Sequence, residues 1–269
     1  VRPHNEDSAF VGPYVALVAD GVGGAAAGEV ASATTAYVVS ATALARFGHD
    51  LESIVREAFV AAVENLRLGV RQDPERDGMA TTATAVVCDG TRVLLAHVGD
   101  SRAYLFRDGA LTQLSHDHTW VQHMVDSGQL SASAARRHPW RNVVLRSLDG
   151  NPAVPPAEVD VVDLDVRPGD RLLLCSDGLT DLVTDLRIAE VLFLDDPHSA
   201  AAVLTQSALV AGGKDNITCL VLDVVDGPLV VGDGLLLGAV RDPRTHVVDP
   251  GSVRASLGLP TGRDDLRRV

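Results

Sequence analysis

The sequence predicts an α+β layered domain, on three observations. Short apolar runs rich in Val, Leu and Ala alternate with Gly-containing turns in one block, and helical patterns occur in long pairs elsewhere. The two kinds of element segregate instead of alternating strictly, which argues against a parallel doubly wound sheet. With 269 residues, 46% hydrophobic and 22% charged, the chain can bury a sizeable core without a disulfide or structural metal.

In chain order, residues 14–19 read as the first strand. Residues 25–47 and 50–70 are helical, and in the second of these Val55, Phe59, Ala62, Val63 and Leu66 recur at the spacing of a buried helix face. Runs at 83–88, 92–98 and 102–106 form an antiparallel meander over about 82–114. Asp89-Gly90 and Asp108-Gly109 stand at its hairpin turns. Residues 112–151 are less regular and contain His116, His118, His123 and His138; they read as a surface insertion with solvated histidines. Strands at 159–166 and 171–176 flank the turn Arg167-Pro168-Gly169-Asp170, helices follow at 185–194 and 197–211, and 217–225 is the last strand. Beyond it the pattern fails: 11 of the 44 residues in 226–269 are Gly or Pro, so a linker or loosely docked tail is expected after a folded domain at 1–225.

A formal net charge of −13 opposes binding to a phosphate backbone, so nucleic acid is excluded as a partner. Cys88, Cys175 and Cys219 are far apart in apolar runs and read as reduced, buried thiols, with no zinc spacing. No apolar run approaches the ~20 residues of a membrane span and no leader pattern opens the chain, so a cytoplasmic protein is expected.

Four aspartates stand where apolar strand-like runs end or begin: Asp20, Asp100, Asp177 and Asp215. Singly, each reads as a turn residue. Their neighbours point further. Asp20-Gly21 and Asp177-Gly178 pair a carboxylate with a residue whose backbone a cation can approach, and Arg2, Asn5, Glu6 and Asp7 add a guanidinium and two more carboxylates. Oxygen-only ligands select hard cations, Mg²⁺ or Mn²⁺, over zinc.

Arg2-x-x-Asn5-Glu6-Asp7, Ala19-Asp20-Gly21-Val22-Gly23-Gly24 with Gly28-Glu29, Gly99-Asp100-Ser101-Arg102, Cys175-Ser176-Asp177-Gly178-Leu179 and Asp215-Asn216-Ile217-Thr218 occur in the order of the PPM, or type 2C, metal-dependent protein phosphatases. The sequence resembles that family over about 1–225, most closely its bacterial members, which oppose serine/threonine kinases. The resemblance implies a central β-sandwich of two antiparallel sheets flanked by helices (αββα), with a flap at about 112–151. It also implies hydrolysis of phosphoserine and phosphothreonine in proteins by water activated between two tightly bound Mn²⁺ or Mg²⁺ ions, with a third, weaker ion. Carried over residue by residue, Asp20 bridges two metals, the Gly21 carbonyl binds one, and Asp177 and Asp215 bind the other. Asp100 helps hold the third ion, Glu6 and Asp7 hold metal-bound waters, Arg2 grips the substrate phosphate, and Asn216 supports the cluster from behind. Phosphoproteins, including kinases and their substrates, are the implied partners, and a monomer is expected.

Four departures stand out. Val22 occupies the place where eukaryotic members carry a histidine, the usual candidate for the general acid. Ala80, in Gly78-Met79-Ala80-Thr81-Thr82, and Lys214 replace commoner residues, and both are expected to be tolerated. Family members carry a β-strand ahead of the arginine matched by Arg2, so a truncated or late-started N-terminus is expected here, with Arg2 frayed. Rival readings are weaker. The 21–24 loop lacks dinucleotide spacing and a Gly-Lys-Ser/Thr ending, and no cysteine is followed six positions later by arginine. A catalytically weak regulatory or binding module of the same fold is the alternative.

Overall fold

The computed structural model describes residues 4–22, 27–227, 233–242, 244–256 and 258. Two antiparallel sheets pack face to face. The first has the strand order β12 (Leu235–Gly238), β1 (Asp7–Val11), β2 (Val15–Val22), β4 (Ala83–Cys88), β5 (Val93–Val98), β9 (Asp160–Leu164), with the two-residue strands β3 (Ala80–Thr81) and β8 (Leu148–Asp149) branching from β2. The second has the order β11 (Cys219–Asp223), β10 (Arg171–Cys175), β6 (Arg102–Arg107), β7 (Ala110–Gln113).

Three apolar layers hold this arrangement together. Ala9, Ala16, Val18, Val86 and Leu95 of the first sheet meet Ala103, Leu172, Leu174 and Leu220 of the second. Outside the first sheet lie α1 (Gly28–Ala45) and α2 (Leu51–Gln72). Helix α1 is buried nearly along its whole length, so its apolar and small residues run all round it. Helix α2 is amphipathic: Val55, Phe59, Ala62, Val63 and Leu66 are buried, as their spacing predicts. Asp50 caps it, accepting a hydrogen bond from the Ser53 amide at 2.9 Å. Outside the second sheet, α6 (Asp185–Leu192) and α7 (Pro197–Val210) cover Tyr104, Leu173 and Cys175. This is the helix–sheet–sheet–helix order that the resemblance implies. Among the described residues no helix is long and apolar enough to cross a membrane.

The insertion carries two short helices, α3 (Trp120–Asp126) and α4 (Ala132–Ala135), and Trp120, His138 and Trp140 cluster on it with ring centroids 5.0–5.9 Å apart. Its histidines are not all solvated: His118 is 4% exposed, because both ring nitrogens and its backbone find partners within the fold.

The expectation of a loosely docked tail over 226–269 does not hold for its described part. Strand β12 pairs with β1 in the register Ser8↔Gly238 to Val11↔Leu235, and Leu236, Val240, Val248 and Val253 are buried. Helix α8 (Pro250–Ser256) packs on α1, where the Tyr37 hydroxyl donates to the Pro250 carbonyl at 3.4 Å. The Val240 amide donates to Ser8 Oγ, and the Val248 amide to Thr34 Oγ1. The segment completes the first sheet and seals the outer face of α1. Cys175 and Cys219, remote in sequence, stand opposite each other in the β10–β11 ladder as free thiols.

Candidate active site and metal centre

The carboxylates converge because strands of both sheets end at one edge of the sandwich. Asp7 opens β1 directly across the ladder from Asp20 near the end of β2. Asp100 lies in the turn between β5 and β6, and Asp177 starts the one-turn helix α5 (Asp177–Thr180) as β10 ends. Asp215 precedes β11. Four hydroxyl residues brace them. Asp7 Oδ2 accepts hydrogen bonds from Ser176 Oγ at 2.8 Å and Thr218 Oγ1 at 2.7 Å, which ties the first sheet to the second. The Asp20 amide donates to Thr82 Oγ1 at 3.0 Å, and Thr81 Oγ1 donates to the Asp20 carbonyl at 2.8 Å.

Glu6 and Asn216 form a second tie between the sheets. The Glu6 amide donates to Asn216 Oδ1 at 2.9 Å, the Glu6 carbonyl accepts from the Gly21 amide, and the Asn216 amide donates to Asp215 Oδ1 at 2.9 Å. Arg2 lies outside the described residues, as do Gly23 and Gly24.

Electrostatics show the strain of this gathering. Asp20 is raised well above the ordinary carboxylate range, first by burial and then by the charges of Asp7, Asp177, Asp100 and Asp215. Burial, then Asp177 and Asp117, raise Asp100 likewise. Asp177 is raised to about 7 by burial and then by Asp181, Asp215 and Asp7. Asp7 is raised by burial against the opposing pull of its bonds from Thr218 and Ser176. The Asp20 carboxyl lies within hydrogen-bonding reach of both Asp7 and Asp177, although ionised carboxylates can only accept. Fully buried Asp7 Oδ1 has no hydrogen-bond partner among the described residues. Protons or cations must stand between such groups.

The donor set fits hard divalent cations, since every group in it is an oxygen. Among the described residues no three His, Cys, Asp or Glu side chains are placed to hold one metal ion between them. Beside the cluster runs a cleft of about 320 Å³ under the insertion, lined by Asp100, Asp117, Asp177, Asp181, Arg141 and Asn142. Asn142 Nδ2 donates to Asp181 Oδ2 at 3.1 Å and Asp177 Oδ2 at 3.3 Å, and Arg141 pairs with Asp181 at 3.2 Å.

Sequence reasoning brought out the carboxylates but not the groups that hold them. Ser176 and Thr218 lie inside motifs already singled out, where a hydroxyl beside a strand-end aspartate was the available signal. Asn142 and Asp181 carry no such signal, because only the fold of the insertion brings them to the cluster.

Comparison with known proteins shows the family of this fold. The family model for protein phosphatase 2C matches residues 4–208. The serine/threonine protein phosphatase PstP of Mycobacterium tuberculosis is 41% identical over 266 residues, 99% of this chain and 51% of PstP, so the chain spans about half of that relative's length. The serine/threonine phosphatase stp of Listeria monocytogenes is 35% identical over 234 residues, covering 83% of this chain and 91% of stp. A crystal structure of the PstP catalytic domain in complex with two manganese ions superposes with a TM-score of 0.73 at 41% identity, covering 84% of this chain and 94% of that one. With more than half its length matched by the family model and its site motifs in family order, this chain belongs to the protein phosphatase 2C family.

Proposed function

We propose that this chain hydrolyses phosphoserine and phosphothreonine in proteins, using Mn²⁺ or Mg²⁺ held by Asp20, the Gly21 carbonyl, Asp177 and Asp215, with a third, weaker ion at Asp100. The observation that carries this reading is the convergence of Asp7, Asp20, Asp100 and Asp177 in one buried cluster where burial and mutual repulsion raise every one of their carboxyl pKa values, a site that added positive charge stabilises. Divalent ions, when bound to these residues, would supply that charge, lower the pKa of water for attack on phosphorus and offset charge on the phosphoryl oxygens.

The chain's own residues do the remaining work. Asp7, anchored through Oδ2 by Ser176 and Thr218, leaves Oδ1 as the acceptor for a hydrogen of bound water. Asn216 holds the Glu6 backbone and so sets where that carboxylate enters the site. Arg2 grips the substrate phosphate, and the cleft under the insertion takes the polypeptide beside the phosphorylated residue. Kinases and their phosphorylated targets are the proposed partners, in the cytoplasm, with the chain acting as a monomer and residues 1–225 supplying the catalytic groups.

The test is phosphate release from phosphoserine and phosphothreonine peptides by the purified chain across a Mn²⁺ and Mg²⁺ titration. Turnover that rises with metal and vanishes with chelator is expected. Absence of release with either ion would overturn the assignment in favour of a binding module of the same fold.

A further inference from the structure

The turn that carries Asp100 is gripped at both ends by the root of the insertion. On one side, the His118 amide donates to the Gly99 carbonyl at 2.7 Å and the Gly99 amide donates back to His118 Nδ1 at 3.0 Å. Nδ1 can accept because the ring proton sits on Nε2, which donates to Asp160 Oδ2 at 3.0 Å; Asp160 is itself held by Arg146 at 3.2 Å. On the other side, Asp117 takes a two-pronged bond from Arg102, with Nη2 at 2.6 Å and Nε at 2.9 Å, and a third from Gln113 at 3.0 Å. Both gripping residues are buried, at 8% exposure for Asp117 and 4% for His118. His116, just before them, is pinned through its carbonyl, which accepts from His97 Nε2 at 3.0 Å.

Between the two grips lie only Asp100 and Ser101. Ser101 Oγ bonds Thr82 Oγ1 at 2.8 Å, and Thr82 Oγ1 accepts the Asp20 amide. A continuous chain of contacts therefore runs from the insertion through the Asp100 turn to Asp20.

We propose that Asp117 and His118 are positioning residues for Asp100, clamping the residues on either side of it so that the base of the insertion and this outer carboxylate are held as one unit. The inference rests on the reading of Asp100 as a ligand of the third, outer ion. A group that fixes a ligand's backbone sets the ligand's reach without touching the ion, and loss of such support weakens metal binding about 10- to 100-fold.

A double-mutant cycle on the whole chain tests this, with Mn²⁺ binding followed by calorimetry and electron paramagnetic resonance. His118→Phe removes the acceptor for Gly99 and should weaken the weakest class of Mn²⁺ site about 10- to 100-fold while sparing the tighter ions. His118→Asn, whose side-chain oxygen can still accept from the Gly99 amide, should retain most of that affinity, and Asp117→Asn should fall between. Added to Asp100→Asn, His118→Phe should cost nothing further. Additive losses, or an equal loss at every site with a lowered Tm, would overturn the proposal in favour of a general folding role. If Asp100→Asn alone leaves the number of bound ions unchanged, it is the metal assignment of Asp100 that fails. Amide exchange at Asp100 and Ser101 in the metal-free chain then decides the positioning role: exchange faster in His118→Phe than in the parent supports it, and unchanged exchange refutes it.

Discussion

The site is built from two Asp-Gly pairs that look alike in sequence and are held in different ways. Asp20-Gly21 lies at the end of a strand in the first sheet, and a Cβ on Gly21 would fall 2.4 Å from the Gly28 carbonyl oxygen at the start of α1. Asp177-Gly178 starts a one-turn helix beside the second sheet, and a Cβ on Gly178 would fall 1.9 Å from the Asn216 carbonyl oxygen. Neither glycine has a positive φ, so close approach of another backbone, not turn geometry, demands it. The first pair is locked against a long buried helix. The second presses on the very loop that carries Asp215 and Asn216, and it is also the pair that the insertion touches through Asn142. The insertion thus reaches the first half through the Asp100 turn and Thr82, whereas it touches the second directly, so the second is the more open to whatever moves the loops.

The largest effect that follows is on the second pair. Gly178→Ala should displace the 215–216 loop, destabilise the fold by about 1–3 kcal/mol and lower turnover about 100-fold. Gly21→Ala should cost similar stability but less turnover, since its tightest clash, with the Gly28 carbonyl, falls on α1, and the Glu6 carbonyl on the site side is farther, at 2.9 Å. Equal kcat losses in the two variants would break the comparison.

Metal and pH sharpen it next. A carboxyl raised in the folded state keeps its proton when the unfolded chain has already released it, so the folded state loses stability as pH rises between the two pKa values. For Asp177, raised from 3.8 to about 7, that window is about pH 4 to 7. Metal-free protein should lose on the order of a few kcal/mol across it. Saturating Mn²⁺ should raise Tm most near pH 7 and least near pH 4. Parallel melting curves with and without Mn²⁺ across this range would count against the gathered carboxylates as the origin.

A smaller effect concerns the brace on the first half. Gly238, at φ +81°, sits where a Cβ would meet the Asp7 carbonyl at 2.3 Å. Gly238→Ala should cost about 1–3 kcal/mol in denaturant melts and weaken Mn²⁺ binding, because β12 holds the strand that begins with Asp7. Unchanged Mn²⁺ affinity would show that the brace stops short of the site. Smallest is Asn142→Ala, which removes two long bonds at the surface and should cost about 0.5 kcal/mol or less, read from the shift in melting midpoint.

Much of this was legible in the sequence because it rests on local pattern. The β4–β5 and β6–β7 hairpins declared themselves by Asp-Gly turns between apolar runs, and α2 by its stripe. The aspartates could be read as a constellation because each ends or begins such a run. What was hidden depends on contacts remote in sequence. The tail resembled a linker because of its glycines, yet Gly234 and Gly238 are glycines because Phe10 and the Asp7 backbone lie against them. His118 looked like a loop residue because nothing near it in sequence shows that Gly99 and Asp160 will take up its two nitrogens.

The ladder position of Cys175 and Cys219 has a practical consequence. Burial pushes the Cys175 thiol well up and the Cys219 thiol to about 12, and half-buried Cys88 is raised for the same reason. Thiolates are scarce at all three near neutral pH, so maleimides and spin labels react slowly with the native chain. A single cysteine introduced at exposed Trp140, on the insertion, would therefore take up a probe selectively without first removing the natural three, and the distance from that probe to bound Mn²⁺ could be followed as substrate enters the cleft.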